Sequence, residues 1–180
     1  MKFLELVRLR QSSRKYSTRQ VEREKIQRCI EAARLAPSAC NSQPWTFVVV
    51  DEPELCRKVA GETYNALIPF NRFVARAKVI VVMVAERPNV ISQIGGRIRN
   101  KDFYLIDTGI AAEHFCLQAA EEELGTCMLG WFNEKNVMKL LNIPKGKRIG
   151  LMIAMGYSES RLREKIRKPI NEILKYNSYE

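Results

Sequence analysis

The stretch that organises this chain is RLAPSACNSQPWTFVVV, residues Arg34–Val50. A predicted helix ends at Pro37, because proline removes a backbone donor and disfavours helical geometry in the residue before it. Residues 38–43 are small or polar, and Pro44-Trp45 then leads into an apolar run too short for anything but a buried strand. A polar loop between buried elements is either a well-capped connection or a place where donors reach a ligand.

Apolar periodicity on both sides of this stretch predicts further helices and strands. Helices are expected at Lys2–Arg10 and at Val21–Ala36, the second capped by Thr18. A short helix should follow the loop and end at Gly61. The other predicted elements are a central strand at Val79–Ala85, a helix at Phe103–Leu124, a strand at Thr126–Leu129, a helix at Glu134–Leu141 capped by Asn133, and a buried strand at Ile149–Tyr157.

The helix expected at Phe103–Leu124 is apolar nearly all round its cylinder between residues 109 and 120. Such a helix has to be buried on every side. In so small a chain, a second subunit is the economical way to bury it. The single histidine, His114, lies on this helix and is expected to be a core or interface residue rather than a catalytic base.

Positive charge is concentrated at the two ends of the chain. The net charge of +10 divides into +6 over residues 1–34, −3 over residues 35–134 and +7 over residues 135–180. If the two ends converge in space they form a compact anion site, although a solvated charged surface would have the same composition. The segment Arg10–Tyr16, RQSSRKY, offers arginine forks and hydroxyl donors suited to a phosphate monoester, or it is an exposed basic loop.

Length and composition limit the class of protein. A chain of 180 residues is expected to form one domain that buries roughly 70% of its unfolded surface. No apolar run reaches the roughly 20 residues that span a bilayer, and residues 1–14 lack the form of a secretory signal, so a cytoplasmic protein is expected. Five cysteines without C-x-x-C spacing and one histidine suggest neither a disulfide framework nor a zinc site.

Recognisable catalytic motifs are missing from the sequence. The chain has no G-x-S-x-G elbow, no G-x-G-x-x-G and no Walker P-loop. It nevertheless holds several phosphate-friendly segments, and that combination points to a bound cofactor that carries the chemistry. Nucleic-acid binding is a remote alternative, because aromatic residues interleaved with cations are scarce.

Two further segments are expected to be adaptable. Residues 86–101 contain Pro88, Gly95-Gly96 and the four cations Arg87, Arg97, Arg99 and Lys101, and they are predicted to form a flexible lid or a disordered loop. The C-terminal extension, residues 158–180, is cationic and then apolar at Ile170, Ile173 and Leu174, so its far end is expected to dock on something.

Six short blocks, in this order and at this spacing, resemble the FMN-dependent nitroreductase family over about residues 4–174. The resemblance implies one α+β domain, a three-layer sandwich with a central mixed, mainly antiparallel sheet flanked by helices, in an intertwined homodimer with FMN at the interface. The blocks are RQSSRKY at Arg10–Tyr16, APSACNSQPW at Ala36–Trp45, DTG at Asp107–Gly109, LGWF at Leu129–Phe132, GY at Gly156-Tyr157 and RKP at Arg167–Pro169.

By this resemblance the two chain ends hold one end of the flavin. Arg10 and Ser12 are expected at the FMN phosphate and ribityl chain, and Lys165 and Arg167 complete the phosphate site. Arg14 is expected near flavin N1 and O2, where a positive charge favours the reduced cofactor.

The remaining expected contacts surround the flavin ring. Residues 37–41 resemble the segment that reaches the partner subunit's flavin, Asn71 resembles a residue at the pyrimidine edge, and the backbone of Gly130 and Trp131 is expected to face N5 and O4. Trp131 departs from the glycine common at its position, which narrows the expected pocket. The full set of expected cofactor-binding residues is Arg10, Gln11, Ser12, Arg14, Pro37, Ser38, Ala39, Asn41, Asn71, Leu129, Gly130, Trp131, Lys165 and Arg167.

The resemblance implies hydride transfer from NADH or NADPH through flavin N5 to a nitroaromatic, a quinone or a similar acceptor, with ping-pong kinetics and no required acid or base. Relatives of the same fold carry out reductive dehalogenation, enone reduction or flavin fragmentation, and the sequence of the lid does not choose among these tasks.

Overall fold

The computed structural model describes residues 2–66 and 69–179, except for the side chain of Arg97. Four strands form one sheet in the order β1-β2-β4-β3, and every neighbouring pair of strands is antiparallel. Parallel pairing within the described residues is limited to one bridge between Ser12 and Thr126. The strands are β1 (Trp45–Val50), β2 (Val79–Ala85), β3 (Leu124–Leu129) and β4 (Arg148–Tyr157).

Helices cover both faces of the sheet. Side chains alternate along β2, so Ile80 and Val82 enter one core while Val81 and Met83 enter the other. The predicted α+β sandwich of three layers is thus confirmed. The helices are α1 (Phe3–Leu9), α2 (Arg23–Arg34), α3 (Pro53–Gly61), α4 (Val90–Arg99), α5 (Phe103–Glu121), α6 (Glu134–Leu140) and α7 (Ile170–Ile173), with short 3-10 turns at Ala39–Asn41 and Arg72–Arg76.

The strand at Trp45–Val50 forms as predicted but is not fully buried. Because β1 lies at the edge of the sheet, only its terminal residues Trp45 and Val50 are buried, and Val49 is 37% exposed. An apolar run alone does not distinguish an edge strand from a central one.

Several helices differ from the sequence expectations, and α5 ends at Glu121 instead of Leu124, which belongs to β3. Helix α4 lies inside the segment predicted to be a loop, and the Asn89 side chain accepts a hydrogen bond from Ser92 N (2.9 Å) at its start. Helix α2 begins at Arg23 after Glu22, so Thr18 is not its cap. The predicted cap of α6 is confirmed, since the Asn133 side chain accepts from Asn136 N (3.3 Å).

Apolar side chains remain exposed on several elements of the single chain, among them α1, α5, the C-terminal extension, and α4 with Ile91 and Ile98. Helix α5 buries one face, whereas the side chains on its other face between residues 110 and 118 are only half-buried, so burial on all sides is not achieved within one chain. Leu105 and Ile106, which precede this stretch, are exposed. Helix α1 exposes Phe3 and Leu4. The C-terminal extension is extended over residues 158–169 and exposes Ile166 almost completely. These surfaces need a partner to be removed from water.

Candidate functional site

The N-terminal segment that follows α1 is fixed against the ends of β3 and β4. Ser13 N donates to Thr126 O (2.8 Å), and Ser12 forms the parallel bridge to Thr126. The Tyr16 hydroxyl lies 2.8 Å from Ser13 O and 3.2 Å from Ala154 O. Burial raises the pKa of Tyr16 well above its ordinary value. These hydrogen bonds therefore fix the position of the segment that carries the predicted phosphate ligands.

Two glycines allow this close approach. A Cβ on Gly125 would lie 2.5 Å from Ser13 Oγ, and one on Gly156 would lie 3.1 Å from the Tyr16 ring. Neither glycine has space for a side chain while the segment keeps its place.

The structure brings the two cationic ends of the chain together. Gln11 Nε2 donates to Arg161 O (3.1 Å), and Gln11 Oε1 accepts from Arg163 N (3.2 Å). Arg163 Nη2 donates to Ser12 O (3.1 Å), and Lys165 Nζ donates to Arg10 O. We call this meeting of Arg10–Ser12 with residues 161–167 the cationic junction. The two cationic chain ends therefore converge in space, as a compact anion site would require.

Positive charge is in excess at the cationic junction. The pKa of Lys165 is lowered, first by burial and then by the neighbouring charges of Arg10 and Arg167. Glu113 is the carboxylate that opposes this effect, and its Oε1 lies 3.2 Å from Arg10 Nε. The Arg10 Nε is buried, yet it makes no hydrogen bond of good geometry within the described part of the chain. A bound anion would offset the repulsion between these cations and accept a hydrogen bond from Arg10 Nε.

Arg14 and Phe73 lie on the other side of the N-terminal segment. Arg14 is exposed, and its guanidinium carbon lies 5.8 Å from the centre of the Phe73 ring. Residues 2–66 and 69–179 contain no ion pair to Arg14, so its charge is available to a ligand.

Asn71 lies next to Trp131 in the structure. It is buried, and its Nδ2 lies 3.2 Å from Thr63 O and 3.3 Å from Trp131 O. The contact with Trp131 O holds the backbone of Trp131, the residue that follows Gly130. Trp131 itself is 53% exposed. Its predicted contact with the flavin edge stays a prediction, as do those of Gly130 and Trp131. Leu129 is buried at the end of β3.

The loop at residues 37–43 is strained and held by its own polar groups. Cys40, Asn41 and Gln43 have positive φ values of 51°, 51° and 47°, which cost energy for residues other than glycine. Ser38 Oγ accepts from Gln43 N (2.9 Å), and Gln43 Nε2 donates to Asn41 O (3.1 Å). Pro37 is exposed. We call residues 37–43 the site loop.

The site loop is tied to α5 and to the start of α4, not to the cationic junction. Ala39 N donates to Asp107 Oδ1 (3.1 Å), and Asn89 Nδ2 donates to Cys40 O (2.9 Å). No hydrogen bond or ion pair described for residues 2–66 and 69–179 connects the loop with Arg10, Ser12, Lys165 or Arg167. The predicted site residues thus form two groups in one chain.

Three residues at these two groups were not anticipated. Glu113 balances Arg10, Arg163 ties the tail to Ser12, and Asn89 links α4 to the loop. The charge of Arg163 was visible in the sequence, but the partners of all three depend on contacts between distant segments.

His114 is half-buried, and its Nδ1 lies 2.9 Å from Ile110 O one turn earlier in α5. This local contact agrees with the expectation of a core or interface residue. Cys29 and Cys116 are buried, as predicted, and burial raises the pKa of each thiol to about 12.

Two classes of site are not found in the described chain. Residues 2–66 and 69–179 hold no cluster of three or more potential metal ligands. Within the same ranges, no helix has the length and apolar character needed to cross a membrane.

The fold and the site define the class of protein as a three-layer α+β sandwich with an antiparallel sheet and a junction of cationic side chains between its two chain ends. The sequence profile of the Nitroreductase family matches residues 7–157, and the chain belongs to that family. Membership makes it an oxidoreductase.

Named relatives agree with this placement. A solved structure of a nitroreductase family protein from Clostridium novyi NT is 32% identical, covers 88% of this chain and 86% of its own, and has a TM-score of 0.78. An Archaeoglobus fulgidus protein, provisionally named an NADH dehydrogenase/NAD(P)H nitroreductase, is 31% identical over 86% of this chain and 84% of its own length. The solved FMN-dependent nitroreductase from Clostridium difficile R20291 is 24% identical, covers 98% of this chain and 100% of its own, and shares the fold with a TM-score of 0.77.

Proposed function

We propose that this chain is an FMN-dependent oxidoreductase that takes hydride from NADH or NADPH and reduces nitroaromatics, quinones or similar small acceptors. Family membership supports the reaction class, and the names of the Archaeoglobus and Clostridium relatives support the two cofactors. The observation that carries the proposal is the cationic junction, where hydrogen bonds from Arg163 to Ser12 O and from Lys165 to Arg10 O bring the two cationic chain ends together. Burial first, and then the charges of Arg10 and Arg167, lower the pKa of Lys165 there.

The residues of the junction fit the phosphate of FMN. A phosphate monoester carries nearly two negative charges at neutral pH and accepts several hydrogen bonds. Arg10 Nε, which faces Glu113 at 3.2 Å without a hydrogen bond, and the neighbouring charges of Lys165 and Arg167 are groups that such an anion would satisfy. We assign phosphate binding to these three cations and to the hydroxyl of Ser12.

Two observations bear on the set of binding residues. The Gln11 amide holds the backbone of the tail through both its nitrogen and its oxygen, so we propose that Gln11 positions the junction, and its direct contact with FMN stays a prediction. The buried amide of Asn71 holds Trp131. Arg14, exposed and free of ion pairs in the described chain, remains the proposed neighbour of flavin N1 and O2.

Bound FMN would supply the hydride chemistry at N5, alternating between donor and acceptor in a ping-pong sequence. The chain's residues bind and orient the reactants and provide a positive charge at Arg14, which stabilises negative charge developing beside it. No proton transfer by a side chain is required. The contact of His114 with Ile110 O agrees with this, since it joins the imidazole to its own helix.

We propose a homodimer as the active unit, acting in the cytoplasm. The exposed apolar residues of α1, α5 and the C-terminal extension give a second copy a surface to cover. In that dimer the site loop of one copy would reach the flavin held at the cationic junction of the other. The free state of all five cysteines agrees with a reducing compartment.

The first test is the absorbance spectrum of the purified protein, which should show a flavin band. Riboflavin lacks the phosphate of FMN, so titrating the apoprotein with each compound distinguishes phosphate binding from ring binding. Lys165→Ala and Arg167→Ala should weaken FMN binding and leave riboflavin binding almost unchanged. Lys175→Ala, a cation further along the tail, is the matched control. Protein that is colourless and cannot be reconstituted with FMN contradicts the proposal.

The second test identifies the task. An anaerobic panel of nitroaromatic, quinone, enone and halogenated aromatic acceptors, each with NADH and NADPH, compares rates of turnover. Nitro or quinone reduction is expected to be fastest. If a halogenated aromatic is turned over fastest, the flavin assignment stands and the proposed acceptor class is wrong.

A further inference from the structure

Asp107 is a buried carboxylate on α5 beneath the site loop. The residue is 4% exposed, and its Oδ1 accepts from Ala39 N (3.1 Å). Its Oδ2 is buried and has no hydrogen-bond partner within residues 2–66 and 69–179. Burial of a carboxylate with one oxygen unfilled is unfavourable, because the protein does not replace the hydration that the charge loses. Asp107 is therefore a poor choice for stability alone.

The loop that Asp107 holds needs an anchor. Cys40, Asn41 and Gln43 are all in the left-handed region, and such a conformation persists only where surrounding contacts fix it. The hydrogen bond from Ala39 N to Asp107 fixes the loop at the residue before Cys40. The other ties of the loop, to Asn89 and between its own side chains, are exposed to solvent, where hydrogen bonds hold less firmly.

We propose that Asp107 is a positioning residue for flavin binding: it fixes the backbone at Ala39, and through it Ser38 and Asn41, in the arrangement that meets the flavin. The inference rests on the proposed function. A charged acceptor binds a backbone N–H more strongly than a neutral one does. Burying Oδ2 without a hydrogen-bond partner is the loss of stability that accompanies this stronger bond.

The test compares Asp107→Ala with Asp107→Asn by titrating FMN into apoprotein and following flavin fluorescence. Asp107→Ala removes the acceptor and should raise the Kd for FMN by about tenfold to a hundredfold, the range set by one hydrogen bond to a charged group. Asp107→Asn can keep an oxygen facing Ala39 N, but as a neutral acceptor, so its Kd should lie between those of wild type and Asp107→Ala. Asp102→Ala is the control, since this exposed residue caps the same helix without a side-chain hydrogen bond.

A second variant removes the donor instead of the acceptor. Ala39→Pro deletes the N–H, and Ser38 already has the extended geometry (φ −144°, ψ 154°) that suits a residue before proline. Ala39→Pro should weaken FMN binding, and combining it with Asp107→Ala should add little, because both changes remove the same bond. This variant keeps the inference testable if Asp107→Ala fails to fold.

Thermal unfolding of the apoprotein separates positioning from a general structural role. Asp107→Ala should have a melting temperature equal to or above that of wild type, since an incompletely bonded buried charge is removed. A lowered melting temperature, wild-type FMN affinity in Asp107→Ala, or Asp107→Asn as weak as Asp107→Ala would each overturn the inference. Failure of the wild-type protein to bind FMN would instead overturn the proposed function.

Discussion

Gln11 holds the C-terminal extension in place, and its replacement should release the tail. The side chain forms two hydrogen bonds to the tail backbone, one to Arg161 O at 3.1 Å and one from Arg163 N at 3.2 Å. Two further bonds join the same segments, from Arg163 to Ser12 O and from Lys165 to Arg10 O. Gln11→Ala therefore removes two of the four hydrogen bonds described between Arg10–Ser12 and residues 161–167, and leaves the bond from Glu159 N to Lys15 O (3.1 Å) at the start of the tail.

The expected magnitude follows from the number and the exposure of these bonds. A hydrogen bond between neutral groups contributes about 0.5–1.5 kcal/mol net, because water replaces it when it breaks. Two of them at exposed positions give about 1–3 kcal/mol, so the equilibrium between detached and docked tail should shift by roughly fivefold to 150-fold. The rest of the fold should keep its stability, since Gln11 contributes no apolar core.

Limited trypsin digestion measures this shift, because the tail carries cleavage sites after Arg161 and Arg163. When opening is fast compared with cleavage, the rate follows the population of the detached state. Gln11→Ala should be cut faster in the tail, while Gln27→Ala, an exposed glutamine on α2, should be cut at the wild-type rate. Added FMN should slow cleavage of the wild type if the tail completes the phosphate site. Equal rates for Gln11→Ala and wild type would refute the assigned role of Gln11.

Two further predictions concern local contacts. Asn89→Asp keeps an acceptor for Ser92 N but loses the donor to Cys40 O, whereas Asn89→Ala loses both; hydrogen exchange at residues 40–42 should rise in both variants, and at Ser92 only in Asn89→Ala. The hydrogen bond from the Tyr157 hydroxyl, with help from Arg19, lowers the pKa of Glu22 from 4.5 to about 2. The stability that Glu22 adds over Glu22→Gln should be complete above pH 4.5 and disappear as pH falls through about 2, as followed by urea unfolding.

Periodicity and turn chemistry were enough to predict most elements of the fold. The strand at Val79–Ala85 has the predicted limits, and the cap at Asn133 is present. These features depend on residues close together in the sequence. The position of β1 at the edge of the sheet was not predictable, because it follows from the strand order and not from the apolar run itself.

Helix α4 shows where local propensity misleads. Pro88 and Gly95-Gly96 favour a loop, since glycine costs about 1 kcal/mol in a helix interior relative to alanine. The helix forms nevertheless, with Asn89 bound to its first turn and to the site loop. Whether residues 86–101 move as a lid stays a prediction, and the side chain of Arg97 lies outside the described part of the chain.

The sequence indicated which types of residue could form the candidate site, but not where these residues lie in the folded chain. The charges at the two chain ends indicated an anion site only if the ends converge, and the polar residues after Pro37 indicated either a ligand loop or a well-capped connection. The contacts that join Gln11 to the tail span about 150 positions of sequence, and no local signal fixes them. The separation of the site residues into two groups is likewise visible only in the folded chain.

The geometry of α5 explains why one chain is not expected to form a complete site. Asp107, which holds the site loop, and Glu113, which balances Arg10, are six residues apart on this helix. Six residues correspond to a rise of about 9 Å and a rotation of about 240°, so the two side chains leave the helix in directions about 120° apart. Ile106 lies on the same side as Glu113 and is exposed.

The cationic junction therefore borders the uncovered face of α5, whereas the site loop lies on a different side of the same helix. A second copy that covers this face would therefore lie next to a flavin bound at the junction. This arrangement favours a site shared between two copies, and it leads to a sharp expectation. Ile106→Glu, which places a charge on the uncovered face, should reduce dimer content in analytical ultracentrifugation and FMN retention together. Full FMN retention in a monomeric Ile106→Glu variant would show that a single chain completes the site.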